Sequence, residues 1–165
     1  MVITPSLREE SYPVNGSTIE QLRRVLGVLG PVRHGRRYAA YTDWEVAFRV
    51  CAPGGPALAA HTSVSVSAVV RLPCWRPPPS APRELAARWE SYVDALRRHE
   101  DGHVAIARAA GEAVAARLLA LPAHAPPEVF QRAAAQAVAE LRAVERTYDM
   151  DTRHGAAQGA VLFAQ

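Results

Sequence analysis

The sequence predicts an α+β domain: a small antiparallel or mixed sheet packed on one long helix, with a second helix towards the C-terminus. Three observations carry this. Two segments in the first half alternate apolar and polar residues, the period of a strand with one buried face. From Arg83 the apolar spacing changes to threes and fours and holds to about Leu121. Pro126-Pro127 then restarts the same helical spacing. The 165 residues suit a single domain, 1–165, with a sizeable core.

The elements follow in order. Glu9 to Val14 reads as a short strand. Asn15-Gly16-Ser17-Thr18 is a turn and helix cap, with Glu20 and Gln21 behind it. A helix over Ile19 to Leu29 then places Leu22, Val25, Leu26 and Leu29 on one face, and Gly30-Pro31 ends it. Tyr38 to Val50 is a strand, with Trp44, Val46, Phe48 and Val50 at every second position. Ala52-Pro53-Gly54-Gly55-Pro56 is a loop. His61 to Leu72 alternates Val64, Val66, Ala68, Val70 and Leu72 with small polar residues, and its edge is a candidate for pairing with an extended substrate. The sheet part is thus 8–72, a stiff proline-rich linker spans 73–82, and a helical part fills 83–165.

In that last part the first helix runs to about Leu121, with Gly102 and Gly111 as weak points, and Pro122 stops it. The second runs to about Tyr148, with Phe130, Ala134, Ala137, Leu141, Val144 and Tyr148 on one face. Pro127 suits its first turn. The tail from Asp149 onwards contains glycine and does not read as a long helix.

Composition narrows the function. The chain is 49% apolar and 21% charged, with a net charge of +3. All its basic residues are arginine, scattered or paired among acids, so no nucleic-acid partner is expected. No stretch approaches a membrane span. The N-terminus lacks a basic start followed by an apolar core, which makes a cytoplasmic location the default expectation. Cys51 and Cys74 form no Cys-x-x-Cys pair; one disulfide or two thiols are both open.

One motif points to chemistry. His99-Glu100-Asp101-Gly102-His103 is an H-E-x-x-H sequence within the long helix. Residues four apart share a helix face, so both imidazoles can reach one Zn²⁺, and Glu100 can serve as general base. The inward stripe reads Trp89, Tyr92, Val93, Leu96, His99, His103, Ile106, Ala110 and Val114, which places both histidines indoors. Zinc would satisfy them; a core pair held by hydrogen bonds is the competing reading. A catalytic zinc site typically takes three protein ligands. His154 is the preferred third, with Asp149 and Asp151 as alternatives. Tyr148 is either the last core residue of its helix or an oxyanion stabiliser. His34, His61 and His124 read as solvent-exposed.

Several pieces read together resemble a family. Thr42-x-Trp44, Leu72-Pro73, Trp89-x-x-Tyr92, the H-E-x-x-H and Tyr148-Asp149-x-x-Thr152-x-His154-Gly155-x-x-Gln158-Gly159 resemble the bacterial family called domain of unknown function 922. The resemblance covers roughly Tyr12 to Phe163. It implies a zincin-like fold and a zinc metallopeptidase, often secreted or periplasmic, acting on a peptide or protein. It also favours His154 as third ligand. In that reading Glu100 takes a proton from the attacking water, while Tyr148 or Arg153 stabilises the oxyanion. Two rivals stand beside it: a zinc amidase acting on cell-wall peptides, and a non-catalytic zinc-stabilised binding domain.

Overall fold

Both alternating segments form strands, and both helical patterns form helices. The computed structural model describes residues 2–50, 62–122 and 124–162. In order they form β1 (Val2–Val14), α1 (Ile19–Leu29), β2 (Val32–Arg33), β3 (Arg36–Arg37), β4 (Tyr41–Val50), β5 (Thr62–Trp75), α2 (Arg83–Ala120), α3 (Pro127–Thr152) and a 3-10 turn, Ala156–Gln158. The result is α+β, with a small mixed sheet and three helices among the described residues. Cys51, the 52–56 loop, His61 and Phe163 lie outside the described residues.

The sheet has the order β1-β5-β4. β5 is therefore central, with a hydrogen-bonded neighbour on each side. This corrects the expectation that the edge of β5 could take up a substrate strand: its backbone groups already serve β1 and β4. β1 is longer than Glu9 to Val14. Its first half gives no alternation because the residues from Ile3 to Glu9 are all exposed. A two-residue hairpin joins β2 and β3, pairing Val32 with Arg37 and Arg33 with Arg36. Its turn, His34-Gly35, has positive φ at both positions (48° and 74°), as a type I′ turn requires. Strands of two residues leave no periodic trace in the sequence.

α1 begins as expected. Thr18 Oγ1 accepts from Gln21 N at 3.3 Å, and Gln21 Oε1 reaches back to accept from Ser17 N at 2.7 Å, one residue before the cap. The 38 residues of α2 run unbroken through Gly102 and Gly111. Each glycine permits a close approach. A Cβ at Gly111 would lie 2.3 Å from Val66 Cγ2, and one at Gly102 2.2 Å from Tyr148 Oη. On the predicted inward stripe Val93 and Ile106 are half-buried and the rest are buried. α3 continues past Tyr148 to Thr152. Along it Val144 is 50% exposed, against expectation, and Glu145 takes the inward position instead. The steps Ala137, Leu141, Glu145, Tyr148 keep the helical period; a polar residue on that face hid the register.

By contacts the chain forms two compact units. The first comprises residues 1–7, 44–68 and 103–147. Its core is Val64, Val114, Ala115, Leu118, Phe130, Ala134 and Ala137, with Val46, Phe48 and Val50 packed against it. The second comprises residues 8–43, 69–102 and 148–165. It buries Val14, Leu22, Leu26, Leu85, Leu96 and Leu162, and packs Trp89 edge-on against Trp75 at 5.5 Å and tilted against Tyr92 at 5.8 Å. Each large apolar side chain removed from water contributes roughly 1.5–3 kcal/mol, which sustains a helix of this length. Trp75 Nε1 donates to Gly16 O at 2.9 Å, so the buried indole keeps its polar handle satisfied. Among the described residues no helix is long and apolar enough to cross a membrane.

Candidate metal centre

The H-E-x-x-H residues of α2 are all interior: His99 is 4% exposed, Glu100 3% and His103 6%. Two imidazoles and a carboxylate can be buried only with polar partners. The structure supplies a different set for each.

Within the second unit, His99 is held through Nδ1. That atom lies 3.0 Å from Gln158 Oε1 and 3.4 Å from Thr152 Oγ1. Gln158 Nε2 donates to Tyr148 Oη at 3.1 Å, and Tyr148 Oη donates to the carbonyl oxygen of His99 at 3.1 Å. With its amide nitrogen used in this way, Gln158 presents its carbonyl oxygen to the ring. A carbonyl only accepts, so in this arrangement Nδ1 is the donor. Nε2 faces Asp149 Oδ1 at 3.3 Å. The Tyr148 ring stacks on His99, with centroids 5.1 Å apart and planes 10° off parallel. Gly102 makes room for the phenol.

Glu100 points elsewhere from the same turn. Its Oε2 accepts from Thr42 Oγ1 on β4 at 2.7 Å, and Thr42 is itself buried. One carboxylate oxygen is thereby held in place.

Within the first unit, His103 Nδ1 lies 3.4 Å from Glu145 Oε1. The same oxygen accepts from Trp44 Nε1 at 2.6 Å, and Glu145 Oε2 pairs with Arg142 at 2.8 Å. The Arg142 guanidinium sits 3.5 Å above the Trp44 ring and donates to Trp44 O at 2.6 Å. Burial pushes the Glu145 carboxyl up, but hydrogen bonds from His103, Arg142 and Trp44 outweigh it and hold it below its ordinary value.

His99, His103 and Asp149 form a group that could hold a metal ion, with one ligand atom from each and all three atoms within 4.8 Å of one another. The donor set suits zinc, which accepts imidazole nitrogen and carboxylate oxygen at about 2.0–2.2 Å. His99 Nδ1 is hydrogen-bonded to Gln158 and His103 Nδ1 lies 3.4 Å from Glu145, so an ion would be met at Nε2 of each ring. The residues present therefore fit the ion.

His99, Glu100 and His103 are placed as the motif predicts. Asp149, one of the alternatives for third ligand, joins the two histidines. His154, the preferred one, is half-exposed and reaches Asp149 instead, with Nδ1 3.4 Å from the same Oδ1 that faces His99. Its backbone is left-handed (φ 51°), and its ring meets Tyr38 edge-on at 5.6 Å. Asp151 and Arg153 are exposed. Tyr148 packs against His99 and donates to its carbonyl oxygen. His34 and His124 are exposed, as expected. Thr42, Trp44, Arg142, Glu145 and Gln158 have no role in the motif reading. Thr42, Trp44 and Gln158 stand in the segments that carry the family resemblance; Arg142 and Glu145 show no sequence signal.

Comparison with known proteins agrees with that resemblance. The family model described as "Bacterial protein of unknown function (DUF922)" matches residues 9–155. No curated protein and no solved structure matches the chain. With that match spanning most of its length, the chain belongs to the DUF922 family of bacterial proteins.

Proposed function

We propose that the protein is a zinc-dependent hydrolase of zincin-like type, and specifically a metallopeptidase. The observation that carries this is the buried H-E-x-x-H whose two histidines meet a carboxylate while the glutamate between them is held apart by Thr42. His99, His103 and Asp149 would hold the ion, with His154 against Asp149. The chemistry such an ion supplies when bound is Lewis-acid activation of water and of a substrate carbonyl. Glu100 takes the proton of the attacking water and passes it to the leaving amine. Thr42 holds one of its oxygens in place. The choice of a peptide or protein substrate, met outside the cytoplasm, rests on the family resemblance.

Glu100→Gln tests the assignment. The variant keeps its zinc by metal analysis and loses turnover by about two to four orders of magnitude, the range of general-base catalysis. Casein and a peptide library are assayed beside peptidoglycan fragments, which separates a peptidase from a cell-wall amidase. Zinc-loaded wild type inert on all of them would favour the binding-domain reading, and undiminished turnover by Glu100→Gln would remove Glu100 from the mechanism.

A further inference from the structure

We infer that Gln158 and Glu145 are positioning residues: each fixes one histidine of the H-E-x-x-H through Nδ1, so that both rings present Nε2 to the ion. The inference rests on the zinc reading and adds to it two residues outside the motif.

An imidazole on a helix can turn about its side-chain bonds, and either ring nitrogen can bind a metal. Something must choose. Behind His99 the choice is made by a closed circuit. His99 Nδ1 gives to Gln158 Oε1, Gln158 Nε2 gives to Tyr148 Oη, and Tyr148 Oη gives to the carbonyl of His99 itself. Turning the Gln158 amide over would replace both of these bonds and require the other tautomer of His99. Behind His103 the choice is made by a clamped carboxylate. Trp44 Nε1 holds Glu145 Oε1, Arg142 holds Oε2, and Arg142 is seated on the Trp44 ring. The carboxylate cannot rotate away from His103 Nδ1, 3.4 Å off.

The two supports differ in charge. A carboxylate behind a ligating imidazole raises its basicity as well as orienting it; a neutral amide only orients. Towards His99, position 158 therefore supplies an acceptor, while its Nε2 donor serves Tyr148. Glu at 158 supplies that acceptor; Met, of similar size, does not.

The experiment measures zinc affinity by competition with a chromophoric chelator, and the visible absorption of the cobalt-substituted protein, for the full chain and its variants. Glu145→Ala and Gln158→Met are expected to weaken zinc binding about ten- to a hundredfold each, the usual cost of losing such a partner, and to shift the cobalt bands. Gln158→Glu is expected to bind zinc within a few-fold of wild type with cobalt bands in place. A purely structural role would lower the melting temperature of the metal-free variants and leave the cobalt bands unmoved, which would overturn the inference. So would equal affinities for Gln158→Met and Gln158→Glu while the wild type binds tightly; the zinc reading would then stand without it. If Glu145→Ala does not fold by circular dichroism, the Met and Glu variants at position 158 decide. Failure of the wild type to bind either ion overturns the zinc reading and this inference together.

Discussion

Thr42 donates a hydrogen bond of 2.7 Å from Oγ1 to Glu100 Oε2, joining β4 to α2 across 58 positions of sequence. Both residues are buried. A hydrogen bond to a buried charged group is worth about 1.5–3 kcal/mol, enough to set where the carboxylate stands.

Thr42→Val keeps the shape and removes the donor. Turnover should fall about ten- to a hundredfold, the equivalent of that bond in rate, with zinc content unchanged. Steady-state kinetics with metal analysis checks it. Unchanged turnover would mean that Glu100 is held by its helix alone.

Asp149 and His154 compete for the role of third ligand, and their alanine variants separate them. With Asp149 as ligand, Asp149→Ala loses zinc affinity well beyond a hundredfold. His154→Ala, which removes only a neighbour of the ligand, loses about tenfold, as outer partners do. Chelator competition gives both values. The reverse ordering would assign the third ligand to His154.

Gly102→Ala sets two effects against each other. Alanine favours a helix by about 1 kcal/mol over glycine. The new methyl would lie 2.2 Å from Tyr148 Oη and 2.4 Å from Cζ, a rigid ring stacked on His99. Overpacking of this kind costs about 1–3 kcal/mol, and a ring fixed on both sides puts the cost at the upper end. The melting temperature should fall. In a Tyr148→Ala background the clash is gone and the same substitution should raise it. Stabilisation in the wild-type background would show that the phenol moves freely.

Metal binding should appear as stability. An ion that binds only the folded chain adds about 2.7 kcal/mol at a hundredfold excess over its dissociation constant. Scanning calorimetry should show the melting temperature rising by several degrees with added zinc and falling back with chelator. A flat response across zinc concentrations would sink the centre.

How much of this was legible depends on the range of the interaction. α1 was readable to the residue because its cap, its apolar face and its terminator lie within a dozen neighbouring positions. β5 was readable because every inward residue on it is apolar from Val64 to Leu72. The start of β1 was not, since an exposed strand half has no buried face to enforce alternation. The end of α3 was misplaced for a related reason. Its last turn carries Asp149 and Thr152, which look like loop residues until the partners they face are known.

The sequence by itself determined the helix that carries the candidate centre, the pairing of His99 with His103, and the place of Glu100 between them, because a spacing of four on a helix is local geometry. Tertiary structure decided the rest. It set Asp149 rather than His154 beside the histidines, put β5 in the middle of the sheet, and brought Thr42, Glu145 and Gln158 behind the motif. Those partners lie up to about a hundred positions from the groups they are linked to, as Trp44 does from Glu145. Nothing in local periodicity records which distant side chain will complete a buried hydrogen bond; only chain packing, which must satisfy every polar group it buries, makes that choice.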